Sequence, residues 1–183
     1  MTLPVFFVYG VLNGLNGGSV SEIFTPQNGD DSSDDRPRLV LDTNTVLALW
    51  IFRDPALSVL REWIEAGHCR LHSREDALEE LRRVLAYRQF GLNEAEQAQL
   101  LSAYRKRLAA ASDALPHSIT PATLPRCRDP DDQKFLEIAQ SSAASHLLTR
   151  DKALLRLRRH AAIRARCRIE RPEEFQGSVE SSD

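Results

Sequence analysis

The chain has 183 residues, 42% of them hydrophobic, with 24 Lys and Arg against 26 Asp and Glu for a formal charge of −2. That length fits one domain with a tail and enough apolar content for a packed core, and the charge excludes a surface coated in basic residues, although charge segregated along the chain stays compatible with nucleic acid. Cys69, Cys127 and Cys167 are odd in number, far apart and without a C-x-x-C pair, which excludes a disulfide framework or zinc site and points to a reducing cytoplasm.

Residues 3–15 are apolar but interrupted by Gly10, Asn13 and Gly14, with no Lys or Arg ahead of them; the run is too short to span a bilayer and shows no signal-peptide cleavage pattern. Residues 17–37 are rich in Gly, Ser and Asp and cannot bury enough apolar surface to fold. Residues 1–37 therefore read as a flexible extension, with an upstream start site and a segment that orders on a partner as the other two readings. Leu39 to Asp42 is a first strand, followed by a helix over 43–52. Asp54-Pro55 starts another helix, with Leu57, Leu60, Trp63 and Ile64 as its buried stripe and Gly67 as its end. Residues 68–72 are a second strand, and Ser73-Arg-Glu-Asp76 is a capping box for a helix to about Tyr87. Asn93-Glu-Ala-Glu96 caps a helix through about Ala111. The Pro-rich stretch 112–128 is an extended connection in which Ile119 pairs briefly with the sheet. A helix follows Asp129-Pro-Asp131-Asp132, with Asp131 as its cap. Residues 146–149 are a strand, 152–157 a short helix and 167–169 a last strand. Arg171-Pro172 opens a closing turn that contains Phe175, and 176–183 are a tail. Strands alternating with helices imply an α/β fold, a three-layer α/β/α sandwich around a central, mainly parallel sheet, whose strand ends gather along one edge.

Ligands of such sheets sit beyond the carboxyl ends of the strands. Asp42 closes the first strand, and Asp151 lies just past the strand ending at Thr149. Asp132 opens a helix whose positions i+3, i+4 and i+7 are Phe135, Leu136 and Ala139, so its side chain points inward. Glu79 has polar neighbours one turn away on each side, whereas Glu80 borders the apolar stripe and is the better candidate to face a cleft. Several carboxylates in one crevice repel one another unless a cation joins them. Oxygen donors without Cys or His suit Mg²⁺ or Mn²⁺. The plainer reading is that each acid caps a helix or forms a surface ion pair. His68, His72, His117, His146 and His160 show no catalytic spacing.

Leu39-Val-Leu-Asp42-Thr-Asn44, Glu80-Leu81, the run Cys127-Arg-Asp129-Pro-Asp131-Asp132 with its helix, Leu147-Leu-Thr149-Arg-Asp151 and Pro172-Glu-Glu-Phe175 together resemble the PIN domain, in particular its bacterial toxin-component subgroup. The resemblance runs in order from about Arg38 to Phe175. It implies a metal-dependent endoribonuclease acting on single-stranded RNA and leaving a 5′-phosphate and a 3′-hydroxyl. The acids it carries over are Asp42, Glu80, Asp132 and Asp151, with Asp129 in the same run and Asn44 and Thr149 as hydrogen-bonding supports. The extension and the adjacent Glu79 and Glu80 depart from the pattern, which leaves the choice between those two glutamates open. A cognate antitoxin and a homodimer are the implied partners, and no membrane is.

An acidic site needs cations beside it to accept RNA. Arg82, Arg83, Lys134, Arg150 and Lys152 lie near the elements that carry the acids, and residues 150–171 are strongly basic. The alternative for any of these is a solvated surface or a docking face for an acidic partner, including the Asp30–Asp35 stretch. The rival to a nuclease is a catalytically silent PIN-like module that binds RNA or protein. A phosphotransfer enzyme of another α/β fold is disfavoured, because Asp42-Thr-Asn44 lacks the second aspartate of a dehalogenase-type phosphatase and no Walker loop is present.

Overall fold

Leu39, Val40 and Leu41 are almost completely buried, because the strand they belong to is covered on both faces. It is β1, Arg38–Leu41; the others are β2, Arg70–His72, β3, His146–Leu148, and β4, Arg168–Glu170. The computed structural model describes residues 35–109 and 124–175. The four strands are all parallel and lie in the order β2-β1-β3-β4, with Val40 opposite His72 on one side and Leu147 on the other. Apolar runs with no polar alternation are what a doubly covered parallel sheet requires.

Side chains alternate across β1. Leu39 and Leu41 enter a core with Leu148, Leu57, Leu60, Leu78, Leu81, Leu85, Tyr104 and Phe175. Val40 enters the other, with Leu147, Phe135, Leu136, Leu154, Ile163 and Ile169. The first core is closed by α1, Thr43–Val46, α2, Ser58–Glu65, α3, Glu75–Leu85, and α4, Glu94–Arg105. The second is closed by α5, Gln133–Ser141, α6, Lys152–Arg156, and α7, Ala161–Arg164. The expected three layers are present. Each fully buried leucine contributes roughly 1.5–3 kcal/mol, so the sheet that holds the acids in place rests on both cores.

Several local expectations change. The helix over 43–52 is α-helical only to Val46 and continues as a π turn, Leu47–Ile51, in which the Phe52 N–H reaches the Leu47 carbonyl at 2.9 Å. The wider turn keeps Leu47, Ala48 and Leu49, all buried, closer to one face. Ser73 does not cap α3. The cap is Arg74, without a side-chain bond, and the Ser73 hydroxyl is engaged by the buried phenol of Tyr104, which needs a polar partner. Asp131 is not the cap of its turn; Asp129 is, accepting the Asp131 N–H at 3.0 Å. The Asn93–Glu96 capping box forms as expected. Its helix ends at Arg105, ahead of the expected end, and Leu108 then pairs in parallel with Leu71, supported by an Ala109 N–H to Leu71 carbonyl bond of 2.8 Å. That pairing satisfies backbone groups on the outer edge of β2. The expectations for residues 1–34, Ile119 and 176–183 lie outside the described residues. Just ahead of β1, the Arg36 guanidinium donates to the Gly67 carbonyl at 2.9 Å and the Pro37 carbonyl accepts the Arg70 N–H at 2.9 Å. Among the described residues no helix is long and apolar enough to cross a membrane.

Candidate active site at the carboxyl edge of the sheet

β1 ends at Leu41, and Asp42 is the extended residue that caps α1. Its side chain is buried at 3% exposure. Oδ1 accepts the Thr45 N–H at 2.6 Å, and Oδ2 accepts the Thr149 hydroxyl at 2.5 Å. The next strand holds this corner in place: the Leu148 carbonyl accepts both the Asp42 N–H and the Thr45 hydroxyl at 3.2 Å. Burial pushes the Asp42 carboxyl above its ordinary value, the bonds from Thr149 and Thr45 oppose that, and repulsion from Asp151 adds to it.

Thr149 links the two strand ends. Its Oγ1 donates to Asp42 and accepts the Asp151 N–H at 2.9 Å. Asp151 then caps α6, its Oδ1 accepting the N–H groups of Ala153 at 2.6 Å and Leu154 at 3.1 Å. Asp42, Asp129 and Asp151 are thus all helix caps, as the plainer reading held. Capping occupies particular oxygens of each and orients the rest.

Asp132 makes no capping bond of its own. Its carboxyl is pushed up to about 6, first by burial and then by repulsion from Asp151, Asp129, Asp42 and Glu80 in that order. Acids from four separate parts of the chain therefore share one electrostatic environment. The turn that presents Asp132 is tied back by Gln133, whose Oε1 accepts the Cys127 N–H at 2.7 Å.

Glu80 and Glu79 separate cleanly. Glu79 is bonded to Arg82 at 2.7 Å through both oxygens, with Arg83 at 4.0 Å, on the outer face of α3. Glu80 is half-buried, and its Oε2 pairs with the Lys134 ammonium at 2.5 Å. Lys134 also donates to the Asp131 carbonyl at 2.5 Å. One cation thus bridges the helix bearing Glu80 to the turn bearing Asp132.

The other sequence candidates fall differently. Asn44 is exposed on the first turn of α1, and the buried Thr45 contacts Asp42 in its place. Thr45 carries no sequence signal beyond being three residues past a strand-terminal Asp, which is the spacing of an N-cap contact. Arg82 and Arg83 are tied to Glu79, and Arg150 bridges Asp54 at 2.8 Å and Glu173 at 2.7 Å. Lys152 makes no ion pair with a described residue.

Among the described residues no three Asp, Glu, His or Cys side chains stand close enough to hold a metal ion as they are. Of the acids, Glu80 is paired with Lys134. The donor chemistry fits a hard divalent ion: oxygen donors only, an excess of negative charge, and a half-buried carboxyl whose ionisation is resisted by its neighbours. Compared with known families, residues 38–153 match the family model described as PIN domain. No curated protein and no solved structure matches the chain.

Proposed function

Because this chain belongs to the PIN domain family, a nuclease-type fold, we propose that it is a divalent-metal-dependent endoribonuclease acting on single-stranded RNA. The observation that carries this reading is that Asp42, Glu80, Asp129 and Asp151 each act on Asp132 by repulsion, with Asp42 and Asp151 joined through Thr149 at the sheet edge where α/β proteins place their ligands. Asp42, Glu80 and Asp132 would hold Mg²⁺ or Mn²⁺, with Asp151 binding directly or through water and Asp129 adjoining. Bound there, the ion supplies positive charge to the scissile phosphate and lowers the pKa of the attacking water. Thr149 and the Thr45 amide keep the Asp42 oxygens oriented, and Thr149 sets the spacing between Asp42 and Asp151. The expected products carry a 5′-phosphate and a 3′-hydroxyl.

We further place the chain as the toxin half of a toxin–antitoxin pair, working in a reducing cytoplasm. The Cys127–Asp132 run and the Pro172–Phe175 turn support this through their resemblance to that subgroup, and the three cysteines are free and buried. A cognate antitoxin and a second copy of the chain are the partners to seek; a small reading frame beside the gene supports the first.

The second reading is a silent module that binds RNA or protein without turnover. The seating of Lys134 on Glu80 favours it, because an internal cation then occupies part of the place a metal would take. The two separate on a mixed-sequence single-stranded RNA incubated with Mg²⁺ or Mn²⁺. The nuclease reading expects cutting that stops in chelator and in Asp42→Asn and Asp132→Asn variants of unchanged circular dichroism. Equal cutting by those variants refutes the assignment of the acids, and an absence of cutting with either ion favours the silent module.

A further inference from the structure

We infer that single-stranded RNA leaves the acidic site on its Asp151 side, along a basic groove formed by α6 and the closing turn. This rests on the nuclease reading above and adds to it the direction and the gripping residues. Most cations around the acids are already neutralised. Arg74 pairs with Asp76 and Glu137, Arg82 and Arg83 with Glu79, Arg105 with Glu75, Lys134 with Glu80, and Arg150 with Asp54 and Glu173. A cation held by a carboxylate offers a phosphate only the difference between two partners.

Arg126 and Arg128, just ahead of Asp129, also make no ion pair among the described residues, but the groove is where several such cations line one concavity. It is an open concavity of about 490 Å³ lined by Lys152, Leu155, Arg156, Arg158, Arg159 and Arg171. Arg158 reaches Glu174 at 3.8 Å with both side chains about half exposed. Lys152, Arg156, Arg159 and Arg171 make no ion pair among the described residues. Five cations therefore face one carboxylate contact among the described residues, in a protein whose total charge is −2. Segregated positive charge of this kind attracts and steers anions. The groove also begins at the site: Lys152 follows Asp151 directly, and Asp151 caps the helix that carries Lys152 and Arg156. A strand whose phosphate lies among the acids thus meets these cations next. The single apolar lining residue, Leu155, and the absence of aromatic side chains from the lining suit a backbone track that reads phosphates and not bases.

The test measures binding alone. A fluorescein-labelled single-stranded RNA of mixed sequence is titrated by anisotropy in EDTA against wild type, Arg156→Ala/Arg159→Ala, and Arg82→Ala/Arg83→Ala as a control with the same loss of charge count. The groove variant is expected to bind about tenfold more weakly, and its plot of log K against log salt to flatten by about 1.4, two lost phosphate contacts at about 0.7 each. The control is expected to stay within about twofold of wild type, because its arginines are engaged with Glu79. Wild-type affinity in the groove variant overturns the proposal, as does an equal loss in both variants, and so does tighter binding of the groove to a poly-aspartate peptide than to the RNA. Because no cleavage is read, a chain that grips RNA through the groove and never cuts it defeats the nuclease reading while leaving the groove standing.

Discussion

The Thr149 hydroxyl lies between two acids of neighbouring strands, donating to Asp42 at 2.5 Å while accepting the backbone N–H of Asp151 at 2.9 Å. One buried oxygen thus sets both the rotamer of Asp42 and the path of the chain into α6. Thr149→Val keeps the shape and removes the hydroxyl, leaving a buried carboxylate oxygen and an amide without their partner. The expected loss is about 1–3 kcal/mol of stability, read from urea melts, with most of it recovered in Thr149→Ser. A valine variant as stable as wild type means that solvent replaces the hydroxyl.

Metal binding has a readout independent of cleavage. A ligand that binds only the folded state stabilises it by about 2.7 kcal/mol at a hundredfold excess over Kd. Mn²⁺ at such an excess is expected to raise the melting temperature of wild type by several degrees and to leave Asp132→Asn unmoved. Equal rises in both proteins place the ion elsewhere.

Lys134 competes for Glu80. Replacing it by Gln frees the carboxylate, which raises repulsion in the metal-free site and makes a cation more welcome. The expected outcome is metal-free stability lowered by no more than about 1 kcal/mol together with tighter Mn²⁺ binding by calorimetry. Weaker binding reverses the assigned role and makes Lys134 a support of the metal-bound site.

Phe175 closes the first core, with its ring 5.5 Å from Trp63 and 5.0 Å from His146. It is 6% exposed. Phe175→Ala is expected to cost about 3–5 kcal/mol in denaturant unfolding. A loss under 1 kcal/mol shows that the closing turn contributes little to that core.

The thiols of Cys69 and Cys167 are both pushed up to about 12, chiefly by burial. Thiolate forms only as pH climbs toward that value, so at pH 8 the folded protein should leave both unlabelled by a thiol-specific disulfide reagent, with full reaction in denaturant. Rapid labelling of either in the native protein indicates local opening of the strand ends they precede.

The parts of the site legible in the sequence are those governed by the backbone. Asp42 and Asp151 follow apolar runs that only a doubly covered strand explains, and their positions follow from strand geometry. Asp132 and Glu80 are readable from helical periodicity, which places Asp132 above an apolar stripe and separates Glu80 from Glu79 by one step of rotation. Pairings between long side chains are less legible. Arg150 finds Asp54 and Glu173, and Lys134 finds Glu80, across elements far apart in the chain, and no local pattern encodes that. Ser73 shows a different failure: a motif fits by spacing, but the buried Tyr104 phenol claims the hydroxyl. The π turn after Val46 is likewise a packing solution, chosen by three successive buried residues and not by local propensity.

The strand order β2-β1-β3-β4 puts β1 and β3 in the interior of the sheet, so the corner built by Asp42, Thr149 and Asp151 hangs from strands bonded on both sides. The exposed faces of the surrounding helices are under no such constraint. Recharging the exposed face of α6 would change the surface beside that corner and leave the corner where it is, which makes this scaffold suited to grafts on its rim.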